Sequence, residues 1–185
     1  MGMGRLFSFM AISADGYHAA PDGGVAWQTF GPEFADYSVE QLDEVDTLVF
    51  GRTTFEELSA FWRSEQGAAF DPRIAQRMNS LRKLVVSTSL ASVTWAGSDA
   101  AVVSVDGLAQ RLREPGGDAA VLGSSTLTAA LLRARLVDEL RLMVNPIVLG
   151  GGRKLFDGAG TVPLELTRTR PFASGNVLLY YRPAG

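Results

Sequence analysis

The sequence contains no cysteine. This excludes disulfides, a thiolate nucleophile and any cysteine-ligated metal. It contains one histidine, His18. A site built on several histidines is therefore excluded, no metal site is expected, and a Ser-His-Asp triad would have to use His18. No apolar run reaches the ~18 residues that a membrane span needs, and the first residues lack a signal-peptide pattern. The expectation is a cytoplasmic protein without a membrane partner. Excess positive charge is also missing: the formal net charge is −3, which argues against a nucleic-acid surface. With 46% hydrophobic and 20% charged residues in 185, the composition is that of a globular chain. A single domain over residues 1–185 with its own core is expected.

Among what is present, one stretch organises the rest: Leu48-Val49-Phe50-Gly51-Arg52-Thr53-Thr54-Phe55-Glu56-Glu57. Val49 and Phe50 suit a buried strand, Gly51 a sharp turn, and the following residues a helix opening. Thr53 or Thr54 with Glu56 or Glu57 has the spacing of a capping box. A strand that ends where a helix begins aims free backbone N–H groups outward, which is an anion site in an α/β fold. Arg52 adds a fixed charge suited to phosphate. The alternative is an ordinary junction with a surface arginine.

Two further turns have related chemistry. Lys83 to Val86 reads as a strand that stops at Ser87-Thr88-Ser89, whose hydroxyls either close the turn or donate to a phosphate. Ala119 to Leu122 reads as a buried strand followed by Gly123-Ser124-Ser125-Thr126 and a helix from about Leu127 to Arg133, a second phosphate-facing turn. Gly123-x-Ser125-x-Leu127 lacks the closing glycine of a nucleophile elbow, which counts against a hydrolase using Ser125 and His18.

The rest of the chain supplies the frame. Arg5 to Ile12 is an apolar strand ending in the turn Ser13-Ala14-Asp15-Gly16. Tyr17 to Gly31 is expected to be an irregular glycine-rich loop carrying Trp27 and Phe30, either as a ligand wall or with Trp27 only pinning the loop. Pro32 to Glu44 predicts a helix with Phe34, Tyr37, Val39, Leu42 and Val45 inward. A helix follows to about Trp62, then a polar loop from Arg63 to Phe70, then a helix opened by Asp71-Pro72 with Ile74, Met78 and Leu81 inward. Val93 to Trp95 is expected as an edge piece, and Ala101 to Val105 as a strand with Asp106 capping a short helix to about Arg113. Glu114 to Asp118 reads as a plain loop. Val137 to Leu149 predicts a long strand that Pro146 breaks or confines to an edge. Gly150-Gly151-Gly152-Arg153-Lys154 predicts a flexible basic loop, in which Arg153 and Lys154 either meet a substrate phosphate or are simply solvated. Leu164 to Arg170 and Val177 to Arg182 predict a hairpin. Repeated βα units argue for an α/β fold: a three-layer α/β/α arrangement with a mixed, mostly parallel sheet and a C-terminal antiparallel hairpin.

These motifs in this order resemble the dihydrofolate reductase-like superfamily, in particular the reductase domain of riboflavin-biosynthesis proteins, the RibD C-terminal domain. The resemblance rests on Ser13-Ala14-Asp15-Gly16, Phe50 to Glu56, Val85 to Ser89, Val121 to Ser124, and Leu136 to Leu140 followed by Asn145 to Gly152. It implies an NADPH-dependent reductase acting on a small heterocycle, such as a ribosylated aminouracil or a pterin, and a homodimer. It implies that Gly51, Arg52, Thr53 and Thr54 bind phosphate and that Ser87, Thr88 and Ser89 meet the adenosine ribose and its 2′-phosphate. Leu122, Gly123, Ser124, Ser125 and Thr126 would hold the pyrophosphate, with the nicotinamide near Ala11 and Gly16. The family often has two adjacent glycines where this chain has Gly123-Ser124. For catalysis it points to Asp15, Trp27 and Glu33, with Asp36 as a second acid near Glu33 and water as the other proton source. A non-catalytic nucleotide binder or sensor on the same fold is the alternative.

Overall fold

A computed structural model describes residues 4–113 and 117–184. The expected loop from Glu114 to Asp118 therefore lies partly outside the described residues. The chain forms two compact units, each drawn from two stretches: Met1–Leu6 with Ala35–Ser124, and Phe7–Phe34 with Ser125–Gly185. Helix α1 (Pro32–Asp43) crosses that boundary.

The first unit holds strands β3 (Thr47–Gly51), β4 (Arg82–Val86), β5 (Ala100–Val103) and β6 (Ala119–Leu122). All are parallel, in the order β5-β4-β3-β6. β3 is central and its residues 47–50 are all buried, as its unbroken apolar run requires. Helices α2 (Arg52–Trp62), α3 (Glu65–Phe70), α4 (Pro72–Ser80) and α5 (Val105–Arg113) connect or follow these strands. The polar stretch after Trp62 is thus not a loop. Ser64 caps α3 by accepting the Gly67 N–H at 3.2 Å. Gly67 allows the close approach, because a Cβ there would overlap the Phe61 carbonyl. Asp71 caps α4 by accepting from Arg73 and Ile74. Ile74 and Met78 are buried as expected, joined by Ala75, while Leu81 lies beyond the helix, half-buried.

Trp95 belongs to an isolated bridge with Ser98 rather than to an edge strand. It is buried, stacks on Phe50 with centroids 6.2 Å apart, meets Phe55 edge-on, and donates from its indole to Asn79 at 2.7 Å. The α5 cap is Ser104, whose Oγ accepts the Gly107 N–H at 3.0 Å. Asp106 instead stands in the first turn. On α1 the buried residues are Tyr37, Ser38, Gln41 and Leu42, so the inward face is more polar than the apolar spacing suggests.

The second unit holds β1 (Leu6–Ser13), all but Leu6, with β7 (Glu139–Asn145), β9 (Leu164–Pro171) and β10 (Val177–Pro183) in the order β1-β7-β10-β9. β1 and β7 are parallel; β7, β10 and β9 are antiparallel neighbours. The two units together give the mixed, mostly parallel α/β architecture with a C-terminal hairpin. β7 is shorter than the apolar run promised. It stops at Asn145, before Pro146 would remove a ladder donor, and it is an inner strand. Helix α6 (Ser125–Arg133) starts two residues earlier than expected. The 17–31 stretch opens as strand β2 (Tyr17–Ala19), which pairs with β8 (Arg153–Lys154). The basic stretch after Gly152 is therefore tied down. No described helix is long and apolar enough to cross a membrane.

Candidate functional site

In the first unit, three turns leave the same end of neighbouring strands. Gly51 lies opposite Val86 in register, and Val49 opposite Val121. The openings after β3, β4 and β6 are thereby brought side by side. At the first, Gly51 is the N-cap of α2 and no side chain caps the helix. The capping box of Thr53 or Thr54 with Glu56 or Glu57 does not form. The helix begins at Arg52, so the threonines lie inside the first turn instead of before it. The leading N–H groups thus have no side-chain acceptor on the N-cap, and the positive end of the helix faces outward. Gly51 has φ −77°, a value open to any residue, so its use is not a left-handed turn. Arg52 is exposed and pairs with Glu56 on the next turn at 2.9 Å.

At the second opening, Ser87 Oγ accepts the N–H groups of Ser89 and Leu90, each at 3.2 Å. One of the three hydroxyls thus closes the turn, as local chemistry alone predicts. At the third, Gly123 and Ser124 both adopt left-handed φ, 80° and 72°. A serine held there carries strain that a glycine would not. A Cβ on Gly123 would sit 3.5 Å from Thr54 Cγ2, so this turn lies directly against the opening of α2. Ser125 and Thr126 form the first turn of α6, in the second unit.

The second unit holds the remaining candidates. Asp15 sits in the turn after β1, where Gly16 takes φ 87°. Its carboxylate accepts from Ser13 Oγ at 2.7 Å, from the Leu149 N–H at 3.1 Å and from the Gly150 N–H at 2.8 Å. The Ser13 hydroxyl, helped by those backbone donors, lowers its pKa to about 2. Asp15 is ionised at neutral pH and spans from β1 to the segment after β7. Ala11 lies earlier on β1, opposite Met143 in the β1–β7 pairing. Trp27 is half-buried and its indole donates to the Gly24 carbonyl at 3.2 Å, the contact of a ring that pins its own loop. Glu33 accepts the Ala173 N–H at 2.6 Å. Asp36 is exposed and paired with Arg73 at 2.8 Å.

His18 has its pKa lowered by burial and then by the Arg153 charge. Among the described residues no hydrogen bond joins it to Ser125, and no group of three or more metal-binding side chains occurs. Sequence reasoning missed the buried polar residues around these turns. Asn145 and Asn176 are both buried and both bond the backbone of Thr29. In the sequence Asn145 reads as part of a strand and of a family motif, and Asn176 as part of a hairpin turn, with no sign that they share a partner.

Residues 5–178 match the family model of the RibD C-terminal domain. A curated relative, the uncharacterized protein YyaP of Bacillus subtilis strain 168, is 27% identical over 184 residues, covering 96% of this chain and 94% of its own. Among solved structures, a putative riboflavin biosynthesis protein from Shewanella sp. PV-4 superposes with a TM-score of 0.75 at 21% identity, covering 98% of this chain and 99% of its own. Dihydrofolate reductase from Enterococcus faecalis, solved with NADP(H), gives a TM-score of 0.68 at 18% identity, covering 99% and 98%. At those identities the two structures establish the shared fold.

Proposed function

We propose that this chain, which belongs to the RibD C-terminal domain family, is an NADPH-dependent reductase of a small heterocyclic substrate. The observation that carries the reading is the set of three adjacent turns after β3, β4 and β6. They offer an uncapped helix N-terminus, an arginine, hydroxyls and two successive left-handed residues. No acidic residue stands within Gly51–Thr54, Ser87–Ser89 or Leu122–Thr126. An acid would suit the free 2′-hydroxyl of NADH, whereas hydroxyls and a cation suit the 2′-phosphate of NADPH. The enterococcal dihydrofolate reductase of the same fold is solved with NADP(H), which supports the same choice.

In this reading Gly51, Arg52, Thr53, Thr54, Ser87, Thr88, Ser89, Leu122, Gly123, Ser124, Ser125 and Thr126 hold the cofactor's phosphates and adenosine end, and Ala11 and Gly16 adjoin its nicotinamide. The bound cofactor supplies the hydride. The protein orients donor and acceptor and excludes water. Asp15 is the anion that fixes the segment at Leu149 and Gly150. Trp27 forms a wall for the substrate, and the proton comes through Glu33 or from water. An aminouracil carrying a ribose phosphate is the substrate class we favour over a pterin; in support, a protein of this fold from Thermotoga maritima is described as a deaminase and 5-amino-6-(5-phosphoribosylamino)uracil reductase. We further propose that the protein works as a homodimer, to be checked by sedimentation.

A second reading, nucleotide binding without turnover, has one observation in its favour: Asp15 and Glu33 already accept backbone N–H groups. Titration with NADPH and NADH, followed by NADPH oxidation with each substrate class, separates the readings. Micromolar NADPH binding with much weaker NADH, then turnover, supports the reductase. Binding without turnover supports the second reading, and no binding of either cofactor refutes both.

A further inference from the structure

Ser8 interrupts the apolar run of β1, between Phe7 and Phe9. By strand alternation it shares a face with Met10 and Ile12, which form an apolar cluster with Leu140, Leu142 and Leu155. Helix α6 meets this face through Thr128. The Ser8 and Thr128 hydroxyls lie 2.8 Å apart, across 120 residues of chain, and both residues are fully buried. The other buried residues of α6 are Leu127, Ala129, Leu131 and Leu132, all apolar. A hydroxyl pair in such a place contributes little net stability. Each group gives up water to gain one bond, and two apolar groups of the same shape would serve as well. Its distinct effect is directional. Apolar contacts have no direction and leave a helix free to settle along a strand, whereas a hydrogen bond fixes one position. Thr128 stands about 4.5 Å along the helix axis from Ser125, less than one turn. What holds Thr128 therefore holds the first turn of α6, with Ser125 and Thr126. A further tie, from Arg133 to the Gly158 carbonyl at 2.6 Å, is exposed and lies at the far end of the helix.

We infer that Ser8 and Thr128 are positioning residues: their bond sets the place of α6 along β1, and so the place of its first-turn N–H groups before a bound pyrophosphate. The pyrophosphate rests on the reductase reading, whereas the fixing of α6 does not. Both hydroxyls are buried between helix and strand and act only through the helix. The two halves of the bond differ. Without Ser8, the Thr128 hydroxyl can turn to a carbonyl of its own preceding turn, as helical threonines do. Without Thr128, Ser8 keeps a buried hydroxyl that has lost its helix partner.

The test compares the wild-type chain with Ser8→Ala, Thr128→Val, the double variant and Thr128→Ser. Each is read by urea unfolding, by calorimetry with NADPH, and by hydrogen exchange of peptides covering residues 125–133 in the ligand-free chain. Thr128→Val should lower the urea midpoint more than Ser8→Ala. The double variant should regain most of that loss, because no hydroxyl is then stranded. Cofactor binding should not return with it. The double variant is expected to bind NADPH about tenfold more weakly than wild type and to lose about tenfold in protection within 125–133. Thr128→Ser keeps the hydroxyl and loses a methyl, so it should cost stability but keep wild-type affinity and protection. Wild-type affinity or unchanged protection in the double variant overturns the positioning role. So does an affinity that follows stability through the whole series, as a pair that only fills the core would give. A wild-type chain that binds no NADPH refutes the reductase reading. The fixing of α6 is then decided by exchange alone: protection lost in the double variant supports it, and unchanged protection overturns it.

Discussion

Asp15 accepts the Gly150 N–H at 2.8 Å across 135 residues of chain. With the Leu149 N–H alongside, this one carboxylate joins the turn after β1 to the glycine run after β7. Its pKa is lowered to about 2 from 3.8, chiefly by Ser13. A depressed carboxyl contributes stability that is fully present above its unfolded pKa and lost as pH falls through the folded one. The contribution therefore disappears between about pH 4 and pH 2. Asp15→Asn should flatten the pH dependence of stability in that window, measured by urea unfolding of both proteins at pH 5 and pH 2.5. If the Asp15→Asn protein keeps the wild-type slope, the carboxylate is not coupled to folding.

Lys83 is a buried cation, and among the described residues no carboxylate pairs with it. Its ammonium donates to the Leu81 carbonyl at 2.6 Å and to Ser98 Oγ at 3.0 Å, and lies 4.4 Å from the centre of the Trp95 ring. Desolvation lowers its pKa to about 8 from 10.5. The folded protein then binds fewer protons than the unfolded chain between those values, so wild-type stability rises with pH there, by roughly 3 kcal/mol at most. Lys83→Met should abolish that rise. The check is the difference between the two proteins' unfolding free energies from pH 7.5 to pH 10.5; a constant difference refutes the assignment.

Ser124 tests the strain in the third turn. With φ 72°, Ser124→Val should cost roughly 1–2 kcal/mol of stability, since β-branching makes the left-handed region worse. Ser124→Gly should be neutral to stabilising and should keep NADPH binding. Thermal unfolding of both variants reads the outcome. A Val variant as stable as wild type would mean that the turn adopts another backbone conformation.

Arg52 separates cofactor recognition from stability. Its pair with Glu56 is exposed at both ends, so Arg52→Ala should cost less than about 1 kcal/mol of stability. If Arg52 meets a phosphate, the same change should weaken NADPH by ~1.5–3 kcal/mol. NADH should be affected much less. Calorimetry with both cofactors is the measurement, and equal small losses would remove Arg52 from the site.

Gly152 anchors the two-stranded ribbon. It has φ 120°, and a Cβ there would overlap the Ala19 carbonyl. Gly152→Ala should therefore separate β2 from β8 and expose residues 17–20 to limited proteolysis. A variant with the wild-type digestion pattern would contradict the ribbon.

Much of the frame was legible because it depends on local runs. The strands β3, β4 and β6 carry the apolar runs Leu48–Phe50, Leu84–Val86 and Ala119–Leu122, and Gly51, Ser87 and Gly123 mark where each run stops. The family resemblance followed from the order of those turns. What was not legible depends on contacts between distant residues. α3 has little apolar periodicity and forms because Ser64 caps it and Gly67 fits against Phe61. The β2–β8 ribbon pairs three residues with two, too short a signal for any pattern. Lys83 and Arg141 are buried cations, against the usual sense of their charge; Arg141 is accommodated by an ion pair with Glu139 at 2.6 Å and by the Phe7 ring at 3.6 Å. At the candidate site, the turn types were readable, but not which hydroxyl also accepts within its own turn, as Ser87 does, nor that Asn145 and Asn176 both bond Thr29.

The three tryptophans occupy three distinct surroundings. Trp95 is sealed beside Phe50 and a lysine ammonium, Trp62 stands edge-on to Phe61 and Phe70 near the surface, and Trp27 lies half-buried in the stretch before α1, bonded to the Gly24 carbonyl. Their fluorescence should therefore separate under a polar collisional quencher, with Trp95 silent to it. The chain thus carries a separate optical reporter for its first core, for one surface and for the stretch before α1, with no label added.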